Sequence, residues 1–456
     1  MMKRLLIANR GEIAVRIIRA AKELGMTTIL AHSSADKSSL AAMLADECVE
    51  IGPAAAAKSY LNVPVILQAA LDVRADAIHP GYGFLAENAH FARQVQAAGM
   101  IFVGPDADTI DMMGDKAQAR ATAIAAGVPV VPGSEGVLTD MATALLAAQE
   151  VGFPLMIKAS AGGGGKGIRI VEDPEDFAKE FEAAQREGLG AFGDNAMYLE
   201  RFISQARHIE VQVLGDGESV VHLFDRECSL QRRRQKILEE APSPALDDAT
   251  RSKICESAVA LAQSVNYKGA GTMEYLFDDR SGEFFFIEMN TRIQVEHPIT
   301  EMITGVDLIR EMLLIAFGDQ LKLKQEDIHI KGAAIECRIN AEDPANNFQP
   351  NIGTIQKLTW ATGPGVRIDS MLYEGYGVSP FYDSMLAKVI VWDNTRADAL
   401  KRMKRVLAEC EIEGLKTTLP LHQMLVDDAD VHASQFHTNW LEHWLHHQYS
   451  ASPSSL

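Results

Sequence analysis

The chain has 456 residues, of which 47% are hydrophobic and 23% charged, and its 43 Lys and Arg against 62 Asp and Glu give a formal net charge of −19. This length predicts two to four domains, the composition excludes disordered and collagen-like chains, and the acidic balance argues against nucleic acid as a partner, because duplex binding relies on clustered Lys and Arg. The sequence has no run of 18 uncharged apolar residues, no signal-peptide pattern and no CxxC pair among its five cysteines. It therefore predicts a cytoplasmic protein with no membrane partner.

The N-terminal third alternates strand and helix signals. Helical spacing runs from Ile13 to Leu24 and stops at Gly25. Short apolar runs flank and follow it at Leu5–Ala8, Thr28–Ala31, Ala77–Pro80 and Met100–Val103. This alternation predicts a parallel, doubly wound α/β sheet. A generic Rossmann-like layer without a ligand remains the alternative.

A glycine-rich segment follows a predicted strand at Pro154–Lys158. Gly162 to Gly165 are four consecutive glycines, whose backbone N–H groups can surround an oxyanion without interference from a Cβ. Lys158 and Lys166 place a cation on each side. The spacing is not that of a Walker A loop, and Asn9–Ile13 is not a GxGxxG fingerprint. The segment therefore predicts a flap that covers phosphate, with a flexible hairpin tip as the alternative.

Two β-rich runs, Gly271–Phe277 and Glu283–Asn290, predict a hairpin around a polar turn. If Leu276 pairs with Phe286, Glu274 lies opposite Glu288 at about 5 Å between Cβ atoms. Two carboxylates this close repel each other unless a proton or a cation lies between them. Asn290 points to the same side, and oxygen ligands suit Mg²⁺ or Mn²⁺. The hairpin therefore predicts a metal site, and a solvated acidic strand face is the alternative.

Polar residues continue beyond the hairpin as Arg292, Gln294 and Glu296. In an extended strand Glu288 and Glu296 would be about 26 Å apart, so they can serve one site only if the chain curls at His297-Pro298. Such a site suits a small polar anion that must lose a proton, and a surface salt-bridge network is the alternative. Helical periodicity then runs from Ile299 to Phe317.

Other segments carry weaker signals. Gln231–Lys236 contains three consecutive arginines and is interpreted as a solvated loop. The C-terminal region mixes strands at Ala333–Ile339 and Ala387–Trp392 with a helix over Ala397–Cys410. A surface helix is favoured over a metal site for His437, His443, His446 and His447, and the tail Ser450–Leu456 is predicted to be disordered.

These motifs, in this order, resemble the biotin carboxylase family of the ATP-grasp superfamily. The resemblance extends from Leu5 almost to the C-terminus. Its most specific segments are Leu5–Ala14, His79–Leu85, Met113–Lys116, Lys158–Gly167, Glu240–Pro244, Phe286–Pro298, Glu336–Pro344 and Tyr382–Met385.

The resemblance implies an α/β chain whose central part is α+β. A Rossmann-like domain would span 1–113, an ATP-grasp domain 114–330 with its flap at about 131–203, and a C-terminal biotin carboxylase domain 331–447, followed by a tail at 448–456. It implies ATP-dependent carboxylation of biotin with bicarbonate through carboxyphosphate. ATP, two Mg²⁺ or Mn²⁺ ions and biotin would take part.

The resemblance also implies site residues, by their numbers in this sequence. Catalytic roles fall to Glu296 as the base, and to Arg292, Arg338 and Lys236. ATP contacts fall to Lys116, Lys158, Gly163, Gly164, Gly165, Lys166, Glu200, Ile203, His208, Gln231 and Leu276. Metal ligands would be Glu274, Glu288 and Asn290. The residues that would contact bicarbonate and biotin are Lys236, Arg292, Gln294, Val295, Glu296, Tyr82, Gly83 and Arg338.

Three positions depart from the family pattern. Arg234 stands where many acetyl-CoA-type members have His, which puts a nucleotide contact in doubt. Gly363-Pro364-Gly365 lacks an aromatic that is frequent at the dimer contact, so the geometry of the implied homodimer is open. Lys166 replaces an Arg of some members, which conserves the charge.

The chain has no Ala-Met-Lys-Met biotinylation site, so a separate biotin carboxyl carrier protein and carboxyltransferase subunits are expected partners. Acetyl-CoA carboxylase, in fatty acid biosynthesis, is the first choice of pathway. Propionyl-CoA, methylcrotonyl-CoA or pyruvate carboxylases remain open. A carbamoyl phosphate synthetase-like ligase, a silent regulatory homologue and a nicotinamide-dependent dehydrogenase are the rival hypotheses.

Overall fold

The computed structural model describes residues 3–134, 136–159, 168–192 and 194–450, and its contacts divide the chain into two compact units. The first unit comprises Met1–Val128, Arg207–Leu276 and Glu288–Leu456, and the second comprises Pro129–Ala206 and Phe277–Ile287. Predictions for Gly163, Gly164, Gly165 and Lys166, and for the tail beyond residue 450, fall outside the described residues. No helix in the described part of the chain is long and apolar enough to cross a membrane.

The first unit begins with the predicted parallel sheet. Its strands are β1 (Arg4–Ile7), β2 (Thr27–His32), β3 (Glu47–Glu50), β4 (Ala77–His79) and β5 (Ile101–Phe102). Among the described residues they lie in the order β3-β2-β1-β4-β5. The helices are α1 (Gly11–Glu23), α2 (Leu40–Leu44), α3 (Val63–Asp72), α4 (Ala89–Ala97), α5 (Ala107–Gly114) and α6 (Lys116–Ala125). All four strand pairings are parallel, as the βαβ alternation predicts. Strand β3 was not predicted, because its two glutamates and its exposure hide the apolar pattern.

The second unit is a small α/β layer. Its elements are α7 (Met141–Val151), β6 (Leu155–Ala159), β7 (Ile168–Val171), α8 (Phe177–Phe192) and β8 (Met197–Arg201). Strand β6 lies between β7 and β8 and pairs antiparallel with both. Apolar side chains of these helices and strands form a core that includes the fully buried Phe177 and Phe181. Burial of these aromatic rings stabilises the unit from within.

A larger sheet follows in the chain. It is built from β9 (Ala206–Asp216), β10 (Val220–Arg232), β11 (Gln235–Ala241), β12 (Lys268–Asp278), β13 (Phe284–Asn290) and three strands of the C-terminal region. Helix α9 (Asp248–Ser264) connects β11 to β12, and α10 (His297–Thr304) and α11 (Leu308–Ala316) follow β13. The predicted hairpin is present as β12 and β13, which are neighbours in this sheet.

The C-terminal region completes the sheet. Its remaining strands and helices are β14 (Ala333–Asn340), β15 (Glu342–Asp343), β16 (Gln349–Pro350), β17 (Gly353–Thr354), β18 (Lys357–Thr359), β19 (Val366–Ser370), β20 (Gly377–Val378), β21 (Met385–Asp393), α12 (Arg396–Glu409), β22 (Glu411–Glu413), α13 (Leu419–Leu425), α14 (Ala429–His432) and α15 (Trp440–Ser450). Among the described residues, the sheet has eight strands, in the order β13-β12-β9-β10-β11-β14-β21-β19. The pairings from β9 through β10, β11, β14 and β21 to β19 are antiparallel.

Two local predictions have different outcomes. The helical periodicity of Ile299–Phe317 is not one helix, because α10 ends where Gly305 adopts a left-handed conformation with φ of +76°. Asp307 then caps α11 by accepting a hydrogen bond from the Arg310 N–H. The surface-helix prediction is confirmed for His443, His446 and His447, which are exposed on α15, but it is wrong for His437, which is half-buried and precedes the helix. Residues 448–450, expected in the disordered tail, are the last three residues of α15.

Candidate active site

One face of the large sheet carries polar side chains inside buried strands. In β9 the buried side chains alternate between polar and apolar, so that His208, Glu210 and Gln212 lie on one face of the sheet and the apolar residues lie on the other. The same face collects side chains from β10, β11, β12 and β14: Arg226, Lys236, Glu239, Thr272, Glu274, Glu336 and Arg338. Burying a polar group costs stability unless it is paired, and most of these side chains are connected by hydrogen bonds and ion pairs, although neither carboxylate oxygen of Glu336 has a hydrogen-bond partner.

Lys236 is the centre of that network. Its Nζ lies 2.5 Å from Glu210 Oε2, 3.1 Å from Glu274 Oε1 and 2.6 Å from Glu296 Oε1. Burial lowers the pKa of Lys236, but attraction to the three carboxylates outweighs it and holds the pKa well above its ordinary value. Lys236 is therefore a permanent cation that joins the strand residues to the segment after the hairpin.

Glu296 lies between two cations. Its Oε1 accepts a hydrogen bond from Lys236 and its Oε2 lies 2.9 Å from Arg338 Nη2. Burial raises the pKa of Glu296, but Lys236, Arg338 and Arg226 outweigh this and hold the pKa well below its ordinary value. On its other side Arg338 donates to the buried Glu239, whose pKa burial raises to about 7. The arrangement holds Glu296 as a carboxylate.

The chain curls after β13, as the shared site requires. Strand β13 ends at Asn290, and Glu296 is already the N-cap residue of α10. Within this turn Gln294 donates to Glu274 over 2.9 Å and accepts a hydrogen bond of 2.6 Å from Arg226. The extended-strand separation of Glu288 and Glu296 therefore does not apply.

The predicted metal ligands lie close together. Glu274 Oε1 accepts a hydrogen bond of 3.0 Å from Asn290, and Glu274 Oε2 lies 3.1 Å from His208 Nε2. Burial and the neighbouring Glu274 raise the pKa of Glu288, while Lys116 lowers it. A divalent cation would relieve that repulsion, and the oxygen atoms fit Mg²⁺ or Mn²⁺. Two other groupings of potential ligand atoms occur in the described residues, His208–Glu210–Glu274 and Glu210–Cys228–Glu296, and neither includes Glu288.

Arg292 is held at the edge of this site. Its Nε donates to Glu87 over 2.8 Å, and its Nη2 donates to Asn290 Oδ1 over 2.9 Å. Glu87 also accepts from the backbone N–H of Thr291. The guanidinium is therefore oriented by one carboxylate and one amide beside the metal candidates.

The residues expected to contact ATP are distributed over both units. In the first unit, Lys116 is exposed at the start of α6, Gln231 donates to the Cys228 carbonyl over 2.8 Å, and Leu276 is half-buried on β12. In the second unit, Lys158 on β6 is ion-paired with Glu200 on β8, and Ile203 is half-buried beyond β8.

The predicted arginine loop is a tight turn between β10 and β11. Arg233 and Arg234 both adopt positive φ, of 48° and 64°, and both are exposed. The interpretation as a solvated loop therefore holds for these two residues. The interpretation is wrong for the rest of the segment. Gln231 and Lys236 are cross-strand partners, and Lys236 points into the buried network. Arg232 still belongs to β10, and its guanidinium lies 3.8 Å from the centre of the Phe348 ring.

The biotin candidates lie on the loop after β4. Gly81, Gly83 and Phe84 of this loop all have positive φ. The side chain of Asn9 fixes the loop by donating to the carbonyl oxygens of Pro80 and Tyr82, over 2.6 Å and 2.7 Å. A Cβ at Gly81 would lie only 2.8 Å from the Asn9 amide nitrogen, so glycine is required there. The Tyr82 hydroxyl donates to Glu12.

Several residues of the network were missed in the sequence. Arg226 is fully buried and contacts the side chains of Glu210, Gln212, Thr272, Gln294 and Thr300. The other missed members are Glu12, Glu87, Glu210, Gln212, Glu239, Glu336 and Lys388. The signal that could have found most of them is a polar residue at every second position of a strand whose other residues are apolar.

Comparison with known proteins identifies the family of this chain. Residues 1–110 match the family described as Biotin carboxylase, N-terminal domain, residues 115–324 match Carbamoyl-phosphate synthase L chain, ATP binding domain, and residues 336–443 match Biotin carboxylase C-terminal domain. A biotin carboxylase of Nostoc sp. is 53% identical over 440 residues, which cover 96% of this chain and 98% of the relative. The chain belongs to the biotin carboxylase family.

Other relatives and structures support the same membership. Biotin carboxylase 1 of Bacillus subtilis is 51% identical over 97% of this chain and 98% of its own length. The biotin carboxylase domain of a thermophilic 2-oxoglutarate carboxylase bound to bicarbonate is 45% identical and superposes with a TM-score of 0.93 over 99% of this chain and 100% of its own. The fold is thus that of the ATP-grasp biotin carboxylases, and the chain is an ATP-dependent ligase of this family.

Proposed function

We propose that this chain carboxylates biotin with bicarbonate at the expense of ATP, and that Glu296, Lys236, Arg292 and Arg338 carry the chemistry. The observation that carries the proposal is the position of Glu296, which contacts Lys236 and Arg338 at once while Lys236 also contacts Glu274. Lys236 thereby joins the base to a metal ligand, and the base itself contacts the arginine expected at biotin.

The proposed chemistry begins with bicarbonate. One of its oxygens attacks the γ-phosphorus of ATP, the bond to the ADP oxygen breaks, and Glu296 takes the bicarbonate proton. The carboxyphosphate formed splits into CO₂ and phosphate. The phosphate removes the N1′ proton of biotin, Arg338 stabilises the enolate oxygen, and N1′ attacks the carbon of CO₂. Transfer of this kind depends mainly on positioning and on stabilisation of charge.

The charges around Glu296 are suited to a base that acts only when substrate is bound. In the ligand-free site Lys236 and Arg338 keep the pKa of Glu296 well below its ordinary value, so it is a weak base. A bicarbonate anion that accepts hydrogen bonds from Lys236, Arg292, Gln294 and the Val295 backbone would share these cations. The attraction that stabilises the Glu296 carboxylate would fall, and its pKa would rise.

We assign the nucleotide and metal contacts as the sequence predicts. Lys116, Lys158, Gly163, Gly164, Gly165 and Lys166 would contact phosphates, Glu200, Ile203, His208, Gln231 and Leu276 would frame the adenosine, and Glu274, Glu288 and Asn290 would hold two Mg²⁺ or Mn²⁺ ions. Bound ions of this kind neutralise charge on the transferring phosphoryl group. In support, the homologous domain from Hydrogenobacter thermophilus, 46% identical, has been solved with MgADP, ADP and bicarbonate.

The partners follow from the same proposal. Biotin would reach the site on a carrier outside these 456 residues, with Tyr82 and Gly83 shaping its pocket, and a carboxyltransferase would complete the pathway. We propose a homodimer, because the Hydrogenobacter domain was solved as a dimer. We also propose a domain division at 1–113, 114–330 and 331–447, and action in the cytoplasm.

The final acceptor is a separate question. We propose acetyl-CoA first, with pyruvate and 2-oxoglutarate as alternatives because biotin carboxylases of both carboxylases are 45–47% identical to this chain. Adding carrier and carboxyltransferase of each type, with ¹⁴C-bicarbonate, would show which acceptor becomes labelled.

The test of the activity measures phosphate release from MgATP with bicarbonate and free biotin added singly and together. Stimulation that requires both compounds supports the proposal. Cleavage stimulated instead by ammonia would favour a carbamoyl phosphate synthetase-like ligase. No bicarbonate-dependent cleavage from folded chain would refute the proposal.

A further inference from the structure

The sequence motif Asn9–Glu12 has no part in the chemistry proposed above, yet it contacts that site. Glu12 lies in the first turn of α1 and is buried, with 3% of its surface exposed. Its Oε1 accepts a hydrogen bond from the Tyr82 hydroxyl and lies 3.0 Å from Lys388 Nζ. Glu12 therefore joins the loop of the biotin candidates to a lysine on β21.

Lys388 extends this series of contacts to the peptide bond before Glu296, the proposed base. It is fully buried, and its Nζ donates a hydrogen bond of 2.8 Å to the carbonyl oxygen of Val295. That carbonyl belongs to the peptide bond whose nitrogen is the backbone nitrogen of Glu296. Because a peptide unit is planar, holding its oxygen fixes the point from which the Glu296 side chain extends.

A buried lysine at this position needs a reason. Lys388 lies directly opposite Arg338 across β14 and β21, and like charges that face each other destabilise a sheet. The carboxylates around Lys388 offset this cost: Glu12 at 3.0 Å, the buried Glu336 on β14 and, more weakly, Asp369 at 4.0 Å. An apolar residue of similar volume would avoid the cost altogether, so a link between two parts of the site is the better explanation.

We propose that Glu12 and Lys388 are positioning residues whose ion pair ties the tyrosine of the biotin pocket to the peptide that carries the catalytic base. This inference rests on the function proposed above. The link Tyr82–Glu12–Lys388–Val295 fixes the distance between the biotin side and the bicarbonate side. Removing the Tyr82 hydroxyl is therefore expected to weaken the binding of bicarbonate as well as that of biotin.

The test uses steady-state kinetics of MgATP cleavage with bicarbonate and free biotin. Glu12→Gln and the double variant Glu12→Gln/Lys388→Met are compared with the unmodified chain. The double variant removes both charges of the ion pair together, Asp369 keeps its ion pair with Arg367, and a folded state of the variant is checked by its ellipticity spectrum. Because small misplacements of reacting groups cost up to about 100-fold, we expect kcat to fall at least tenfold and the KM for bicarbonate to rise. The KM for ATP should stay within about twofold, since the pair does not contact the ATP candidates.

Tyr82→Phe then tests the link itself. In the unmodified background it should raise the KM for bicarbonate as well as that for biotin, and in the double-variant background its effect on bicarbonate should disappear. Arg396→Met is the matched control, because Arg396 also pairs with a buried carboxylate, Glu240, and with carbonyl oxygens, but contacts nothing in this link. It should lose stability and keep the KM for bicarbonate.

Two results would overturn the inference. One is a double variant with unchanged kcat and unchanged KM for bicarbonate, and the other is an equal effect of Tyr82→Phe on bicarbonate in both backgrounds. If the unmodified chain shows no cleavage that depends on bicarbonate and biotin, the proposed function fails and this inference fails with it. Activity of the unmodified chain therefore distinguishes failure of the proposed function from failure of the inference about Glu12 and Lys388.

Discussion

At the scale of single residues, the charge state of the site is set by neighbours and not by residue type. Glu274 and Glu296 are both buried glutamates, and burial alone would raise the pKa of each. Lys236 reverses that effect at both positions, so both pKa values are lowered, whereas Glu239 beside Arg338 has its pKa raised to about 7. Carboxyl groups within one network therefore differ in whether they can take up a proton.

Substitution of Glu296 tests its assignment as the base. Glu296→Gln keeps the size of the side chain and removes its ability to accept a proton, and Glu296→Ala removes the group. Both should lower bicarbonate-dependent ATP cleavage by at least about 100-fold. ATP affinity, measured by calorimetric titration, should change little. Normal turnover in either variant would refute the assigned role.

Glu227, away from the proposed chemistry, is predicted to make stability depend on pH. It accepts hydrogen bonds from Ser229 and Ser243 and lies 3.5 Å from Arg207, yet burial raises its pKa from 4.5 to about 7. The folded state therefore keeps a proton that the unfolded state loses above about pH 4.5. The stability that this proton contributes is full below about pH 4.5 and is lost as the pH rises through about 7.

Glu227→Gln removes that titration. The free energy of unfolding of this variant minus that of the unmodified chain should therefore rise between about pH 4.5 and 7, by on the order of 3 kcal/mol. Denaturant unfolding at each pH measures it. Asp46→Asn is the control, because hydrogen bonds from Lys22 and Thr28 lower the pKa of Asp46 to about 2. The difference in free energy of unfolding between Asp46→Asn and the unmodified chain should therefore stay constant over this pH range. A flat difference for Glu227→Gln would contradict the prediction.

Much of the candidate site could be anticipated from the sequence, but not its supports. Glu274, Asn290 and Glu296 stand in local patterns that point to metal and proton chemistry, and the structure brings them around Lys236. Arg226 and Lys388 have no such local pattern. Their partners are 14 to 376 residues distant in the chain, and only the tertiary fold brings them together.

At the scale of elements, the sequence predicted which segments form strands and helices better than where they end. Gly305 illustrates the reason. The apolar spacing continues through it, but the left-handed conformation that glycine permits ends α10 there. A stop signal of one residue is easily hidden inside a periodic pattern of 19 residues, Ile299–Phe317.

The turn between β10 and β11 stores strain that can be measured. Arg234 has φ of 64°, a conformation that costs a residue with a side chain roughly 1–2 kcal/mol. Arg234→Gly should therefore raise the free energy of unfolding by about 1 kcal/mol. Gln235→Gly, one residue on in β11, is the matched control and should lower it by about 0.5–1 kcal/mol. A loss of stability in Arg234→Gly would show that its side chain stabilises the turn by contacts that outweigh the strain.

At the scale of the whole molecule, the chain is two units that are unequal in size and have separate cores. Phe177 and Phe181 belong to the core of the second unit, and the apolar side chains around them come from residues 138–199. All four tryptophans, Trp360, Trp392, Trp440 and Trp444, belong to the first unit. Tryptophan fluorescence therefore reports on one unit, while ellipticity reports on both.

Separate cores predict separate unfolding. Phe181 is fully buried and its ring stacks on Phe177 with 5.6 Å between centroids, so Phe181→Ala should destabilise the second unit by about 3–5 kcal/mol. During thermal unfolding the ellipticity signal should gain an earlier transition, while the midpoint of tryptophan fluorescence stays within about 2 °C, since a change of about 1 kcal/mol already moves a domain by several degrees. Phe91→Ala, in the core of the first unit, is the matched control and should shift the fluorescence midpoint instead. Equal shifts of both signals in Phe181→Ala would mean that the two units unfold as one, because a cavity in one core can lower the stability of the other only when their unfolding is coupled.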